Sequence, residues 1–433
     1  MASVFAFVSG LLWLYFLPLL SLAYLPPTRM SLSFPLTTHF LPSSAWGTRQ
    51  RMLASGQGNG VLAAKYSMVL LVSLPVGTPP QAQTMLLDTG SQLSWVQCNS
   101  KLSPESGSTT SPAMTSFDPT VSTSFAPVSC KDPICKPRIP DFSIPTVCDQ
   151  KQLCQYSYFY ADGTLAEGNL VKEKIAVSTP MILGCSGRPK DDKGILGMNM
   201  GRLSFASQSK INKFSYCVPV RVSRSSPSPN GAFYLGENPN ASGLKYVNLL
   251  KYSETQRMPN LDAFAYTVPM KGIRIGTATL NISESLFRPN AGGAGQTLID
   301  SGSELTYLVD EAYEKVKETI GKLVGPMMKN GFSYAGCADM CFDASVAPLA
   351  AQRIGGIGLV FDGEVEISIG TDSVLTDVGS GVKCMAIGRS SMLGSAGNII
   401  GNVHQQNQWV EYDLAAGRIG FGKADCSRSY SQR

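Results

Sequence analysis

Short apolar runs broken by Gly, Pro, Ser and Thr recur along this 433-residue chain, and that rhythm predicts strands joined by tight turns. From Tyr66 to Val76 an apolar run reads as a strand, Gly77-Thr-Pro-Pro turns the chain, and a second strand ends at Asp88. In the second half Tyr266 to Ile275 repeats this, closing at Gly276 ahead of a run that ends at Asp300. Tyr158 and Tyr160 alternate with Phe159 and run into Gly163, a hairpin signal. Gly194-Ile-Leu-Gly197 and Asn398-Ile-Ile-Gly401 are a further matching pair, each a short apolar run closed by Gly. One segment departs from the rhythm: Asp310 to Val324 has Val309, Tyr313, Val316, Ile320 and Leu323 at helical spacing, with Asp310 placed to cap it. Gln408 to Gly422 closes the chain as a hairpin. The predicted fold class is mostly β.

The strongest pattern is a repeat. Leu86-Leu87-Asp88-Thr89-Gly90-Ser91-Gln92-Leu93-Ser94-Trp95 returns as Leu298-Ile299-Asp300-Ser301-Gly302-Ser303-Glu304-Leu305-Thr306-Tyr307, its acid 212 positions later. In each copy a buried strand delivers an acid into a tight turn. Gly90 and Gly302 permit such a turn and let backbone N–H groups approach the acid, while hydroxyls of Thr89, Ser91, Ser301 and Ser303 flank it. A single Asp-Thr-Gly is an ordinary turn; two copies in matching context point to two acids serving one site. Two carboxylates near one water cannot both ionise cheaply, so one proton is shared and the pair offers a base and an acid together.

Hydrophobic residues make up 43% and charged residues 15% of the chain, so packed cores are expected and disorder is not. Val4 to Leu22 is nearly all apolar and ends in Ser21-Leu22-Ala23, so residues 1–23 read as a secretory signal peptide. No later stretch could span a bilayer and the tail Ser427 to Arg433 is polar, so no stable membrane anchor is expected after cleavage. Residues 24–64, rich in Pro, Ser and Gly without sustained periodicity, read as a prosegment or loose arm. The 36 Lys and Arg exceed the 31 Asp and Glu, yet no acid precedes Asp88 whereas Arg29, Arg49, Arg51 and Lys65 do. Removing the arm takes three Arg and lowers the formal charge from +5 to +2, which is no nucleic-acid footprint. Eleven cysteines behind a signal peptide imply disulfides and an oxidising lumen. With no C-x-x-C pair, and only His39 and His404, neither a metal site nor Ser-His or Cys-His catalysis is supported, and no cofactor is expected.

On these residues the chain resembles the pepsin-like aspartic proteases, whose two lobes each contribute one acid to a shared site. The Ser/Thr/Pro-rich stretch 98–154, carrying Cys130, Cys135 and Cys148, and the run Cys154-Gln-Tyr-Ser-Tyr158-Phe-Tyr160-Ala161-Asp162-Gly163-Thr164 are most similar to the plant nepenthesin-like branch. The resemblance, from about Lys65 to Cys426, implies a bilobal pepsin-like fold with the cleft between two homologous lobes, 65–231 and 232–433. By composition 98–154 is too polar to build a core and reads as a disulfide-stapled surface insertion, and 221–231 is the best linker or exposed loop near the lobe boundary. The resemblance also implies an aspartic endopeptidase made as a zymogen, with Asp88 and Asp300 as the catalytic pair and a flap carrying Tyr160 and Gly163 opposite Trp95. Polypeptide substrates, a monomer, no nucleic acid and no metal or other cofactor go with that reading. By the same resemblance Cys98 pairs with Cys185, Cys130 with Cys154, Cys135 with Cys148, Cys217 with Cys426 and Cys341 with Cys384, leaving Cys337 free.

Asn240-Ala-Ser and Asn281-Ile-Ser are possible glycan acceptors. The expected location is the secretory pathway: the apoplast, or retention in endoplasmic reticulum or vacuole. Two departures stand out. Ser303 occupies a position where many relatives have Thr, and the cysteines common just after the first motif are missing beyond Cys98, which leaves the insertion's shape open. A rival on the same fold is a catalytically inactive binding protein of the xylanase-inhibitor type, against which both acids are intact. A lectin-like or structural β protein leaves the paired motifs unexplained.

Overall fold

The computed structural model describes residues 31–42, 61–62, 66–98, 116–136, 142, 144–160, 165–176, 178–187, 193–220, 229–253 and 258–430. The segment read as a signal peptide, residues 1–23, and the loop 221–228 lie outside the described residues. The described residues belong to one compact unit, Ser31–Arg433.

A sheet of 15 strands runs through them. At its centre Leu32–Pro42, Tyr66–Val76 and Gln81–Asp88 are antiparallel neighbours in that order. Beyond Gln81–Asp88 come Gly194–Gly197, Trp95–Gln97, Met181–Ser186, Leu165–Glu173 and Cys154–Phe159. On the other side come Gly231–Leu235, Lys213–Cys217, Gln408–Asp413 and Arg418–Lys423. The last four residues of the strand leading to Asp88, Met85 to Asp88, are all buried, which is why its end reads as a short apolar run and not as an alternation.

The second half repeats this order on a smaller scale. Thr297–Ile299 is parallel to Asn398–Ile400, which is antiparallel to Thr306–Leu308, which is parallel to Ile387–Arg389. Gln81–Asp88, Gly194–Gly197, Trp95–Gln97 and Met181–Ser186 follow the same sequence of senses. The duplicated motif is therefore a duplicated topology, and the chain is a mostly β, bilobal fold. Behind the second lobe the helix Asp310–Val324 buries Ala312, Tyr313, Val316, Ile320 and Val324.

Four expectations change. The arm is not without periodicity: Leu32, Phe34, Leu36, Thr38 and Phe40 alternate along a central strand in which Leu36 and Thr38 are buried. Pro35 and the polar Thr38 disguise that alternation in the sequence. The insertion builds core after all, because several of its apolar residues turn inward although Val121, Ile144 and Val147 stay exposed: Phe117 joins the main core, and Val128, Ile134 and Phe142 pack with Tyr156. Asp310 does not cap its helix. Val309 stands at the N-cap without a side-chain bond, Asp310 accepts from Ser391 at 2.6 Å, and Leu323 faces solvent.

The fourth change concerns the disulfides. The structure joins Cys130 to Cys148 and Cys135 to Cys154, in place of the nested pairs Cys130–Cys154 and Cys135–Cys148. The sulfurs of Cys130, Cys135 and Cys148 lie within 4.8 Å of one another, so sequence order alone does not select partners. Depth does: Cys135 and Cys154 are both buried and meet inside, while Cys148 is exposed and Cys130 half-buried, and these two meet outside. The other bridges are Cys98–Cys185, Cys217–Cys426 and Cys341–Cys384, and Cys337 is a buried free thiol.

Candidate active site

The two strand ends bring Asp88 and Asp300 into one cleft, 7% and 8% exposed respectively. Their settings match atom for atom. Gly90 N–H donates to Asp88 Oδ1 at 2.9 Å and Ser91 Oγ to Oδ2 at 2.5 Å; Gly302 N–H donates to Asp300 Oδ1 at 2.8 Å and Ser303 Oγ to Oδ2 at 2.6 Å. Each carboxyl therefore has one backbone donor and one hydroxyl donor, and the free edges face each other. The approach is so close that a Cβ on Gly302 would lie 2.3 Å from Asp88 Oδ1, and one on Gly90 2.8 Å from Asp300 Oδ1. Only Gly fits at either place.

Thr89 and Ser301 do not touch the acids but lock the two loops together. Thr89 N–H donates to Ser301 Oγ at 3.0 Å, and Ser301 N–H donates to Thr89 Oγ1 at 2.9 Å. Ser301 Oγ donates in turn to Leu87 O at 2.8 Å. Beneath the loops, Gly197 N–H donates to Ser94 Oγ at 3.1 Å and Gly401 N–H to Thr306 Oγ1 at 3.2 Å, so both Gly-closed elements brace the turns in the same way. Burial, then the charge of Asp300, pushes the Asp88 carboxyl above the ordinary carboxylate range, against the pull of the Ser91 and Gly90 bonds.

Over 392 residues the chain is 34% identical to the aspartic proteinase PCS1 of Arabidopsis thaliana, covering 84% of this chain and 83% of that one. It belongs to the aspartic proteinase family. It is also 31% identical to aspartic proteinase nepenthesin-1 of Nepenthes gracilis, over 83% of this chain and 78% of that one. Family models described as xylanase inhibitor N-terminal and C-terminal match residues 70–237 and 265–423. The fold is shared with the solved structures of edgp and of conglutin gamma from lupine seeds, each with a TM-score of 0.62. Their identities are 17% and 15%, over 92% and 94% of this chain and 95% and 100% of those chains.

In this aspartic proteinase the hairpin Cys154–Phe159 and Leu165–Glu173 leans over the cleft, and Trp95 Nε1 donates to the Tyr160 hydroxyl at 2.8 Å. Gly163 lies outside the described residues. The cleft is a cavity of about 400 Å³ with apolar walls that include Leu86, Ile195, Leu298 and Tyr307. Asn240 and Asn281 are exposed, and Asn240 Nδ2 donates to Tyr234 at 2.8 Å.

Sequence reasoning missed the polar layer under Asp300. Gln405 Nε2 donates to Asp300 O at 3.2 Å and Ile400 O at 2.8 Å, and its Oε1 accepts from Tyr216 at 2.5 Å. Tyr216 and Tyr412 hydroxyls lie 3.1 Å apart, and Tyr412 stacks on Phe214 at 4.4 Å. The Tyr residues read as ordinary strand residues because nothing local distinguishes a buried aromatic from one under a catalytic loop. For Gln405 the available signal was its place just after the second Gly-closed element.

Proposed function

We propose that this chain is an aspartic endopeptidase of the secretory pathway in which Asp88 and Asp300 jointly activate one water. The two carboxyls hold a single proton between them. The ionised one takes a proton from water as the water attacks a peptide carbonyl, and the other donates its proton to the carbonyl oxygen. The pair's proton then passes to the leaving nitrogen as the C–N bond breaks, and a hydroxyl of the tetrahedral intermediate gives its proton to the pair as the new carboxyl forms, so the pair again holds one proton. Backbone and hydroxyl donors from Gly90, Ser91, Gly302 and Ser303 orient each carboxyl, so little reorganisation is needed at the moment of attack. The observation that carries this reading is that matched setting of two facing acids.

The reading extends to the chain's maturation. Residues 24–64 are assigned as a prosegment removed near Lys65, and 65–231 and 232–433 as the two lobes. Arg29, Arg49 and Arg51 in the arm, with no acid before Asp88, suit an acidic cleft. Among the described residues no helix is long and apolar enough to cross a membrane. Asn240 and Asn281 are the assigned glycan acceptors, and the protein acts as a monomer.

The competing reading, an inactive binding protein, draws on the xylanase-inhibitor description of the family models. Incubation of the purified protein with a random peptide library across acidic pH, with and without a statine-type transition-state analogue, separates the two. Cleavage that the analogue blocks supports the peptidase; a folded protein that cleaves nothing at any pH sinks it.

A further inference from the structure

The cleft holds acids beyond the catalytic pair. Asp262, on the loop before Tyr266, and Glu304, two residues past Gly302, line the same cavity as Asp88 and Asp300. No Lys, Arg or His is among the described residues that line it. The first lobe has Gln92 at the position equivalent to Glu304, so the frame is duplicated but its charge is not. Both additional acids come from the second half of the chain.

Each is held in place by neighbours. Phe264 N–H donates to Asp262 Oδ1 at 2.8 Å, and the buried Tyr334 hydroxyl reaches Glu304 Oε2 at 3.2 Å and Oε1 at 3.3 Å. Apolar walls stand beside them: Leu305, Tyr307 and Leu393 line the cavity with Glu304, and Ala265 lines it with Asp262. An acid at the end of an apolar wall suits a long cationic side chain, whose methylenes lie along the wall while the charged head reaches the carboxylate. A short or anionic side chain gains nothing there, and an anion meets four carboxyls.

We propose that Asp262 and Glu304 are specificity-determining residues that make this cleft select peptides with Lys or Arg beside the scissile bond. The inference rests on the peptidase reading above and names its substrate class. It also carries a pH signature. Asp262 stands exposed in the cleft, yet the surrounding protein and the charge of Asp300 raise its pKa above the ordinary range. Glu304 faces the hydroxyls of Tyr334 and Tyr307 and the thiol of Cys337. Lys and Arg stay charged throughout, so the preference at Asp262 should strengthen as pH rises within the active range and that acid ionises.

The test uses the whole protein and matched peptide pairs, Lys against norleucine and Arg against citrulline, on either side of the scissile bond. The expected result is a kcat/KM ratio of about tenfold in favour of the cation at about pH 5.5 and a smaller one at about pH 3.5. Asp262→Asn and Glu304→Gln should each pull that ratio toward one at the position the residue serves. A ratio near one at every position at both pH values, or a ratio untouched by both variants, overturns the proposal. The same peptide pairs built on a statine, with binding read by calorimetry, keep the two readings apart. Tighter binding of the cationic peptides without any turnover retains the acidic subsite and defeats the peptidase; turnover with equal binding of both peptides does the reverse.

Discussion

Asp88 and Asp300 each receive two hydrogen bonds from their own loop and face the other acid, so neither has a task it can perform alone. Asp88→Asn and Asp300→Asn should each lower kcat by about a thousandfold or more while leaving the unfolding midpoint nearly unchanged, and the double variant should be little worse than either single one. One single variant with near-native turnover would refute a shared site. Gly302→Ala should abolish activity too, because its methyl would fall on Asp88 Oδ1 at 2.3 Å, and the neighbouring carboxyl cannot retreat from its own two donors. His404 sets a limit of another kind. Its Nδ1 lies 2.7 Å from Thr306 Oγ1, its Nε2 meets no partner among the described residues, and burial lowers its pKa from 6.5 to about 4. Between those values the unfolded chain binds the proton and the folded one does not, so stability present above pH 6.5 is lost as pH falls toward 4, by on the order of 3 kcal/mol. Urea unfolding of His404→Gln at neutral and acidic pH should show a smaller loss than the native chain; equal losses would exonerate the imidazole.

At the scale of elements, the pieces that were legible are those whose pattern answers to one environment. The strands ending at Asp88 and Asp300 close on the short apolar runs Met85-Leu86-Leu87 and Leu298-Ile299, largely buried, and the helix Asp310–Val324 shows its stripe, although Leu323 lies off it. The strand Leu32–Pro42 was not legible, because its inward side includes Thr38 and its run includes Pro35. Its place between Tyr66–Val76 and Gly231–Leu235 has a consequence for any prosegment that contains it. A cleaved arm should stay bound by main-chain hydrogen bonds, and a chain made from Lys65 onward should melt at least about 5 °C below the full chain and recover with an added peptide spanning residues 31–42. Equal midpoints would show the strand to be dispensable. The hairpin over the cleft is a smaller test: Trp95→Phe removes the donor to Tyr160 and should reduce kcat/KM about fivefold, the worth of one hydrogen bond, with no change in fold.

For the whole molecule, activity should follow the proton shared by the pair. Burial and Asp300 raise the Asp88 pKa, so the single proton persists through the acidic range, and activity should fall as pH rises past the upper titration and both acids ionise. A rate profile that is flat into alkaline pH would contradict this. Stability also depends on the bridges: Cys98→Ser should lose about 2–4 kcal/mol, whereas Cys337→Ser should change little, because that thiol is unpaired and burial pushes its pKa up to about 12. Mass-spectrometric mapping should return Cys130–Cys148 and Cys135–Cys154, and nested pairs would overturn the sorting by depth. The sequence by itself determined the β class, the two lobes and the identity of the two acids, because strand burial and turn chemistry are local and the motif is written twice. Tertiary structure alone decided which sulfurs meet, that the arm enters the sheet, that Gln405 and Tyr216 underlie Asp300, and that Asp262 and Glu304 share the acids' cleft. Each of those depends on contacts between residues far apart in the chain, and spacing along a sequence carries no record of depth or of which distant surfaces face each other.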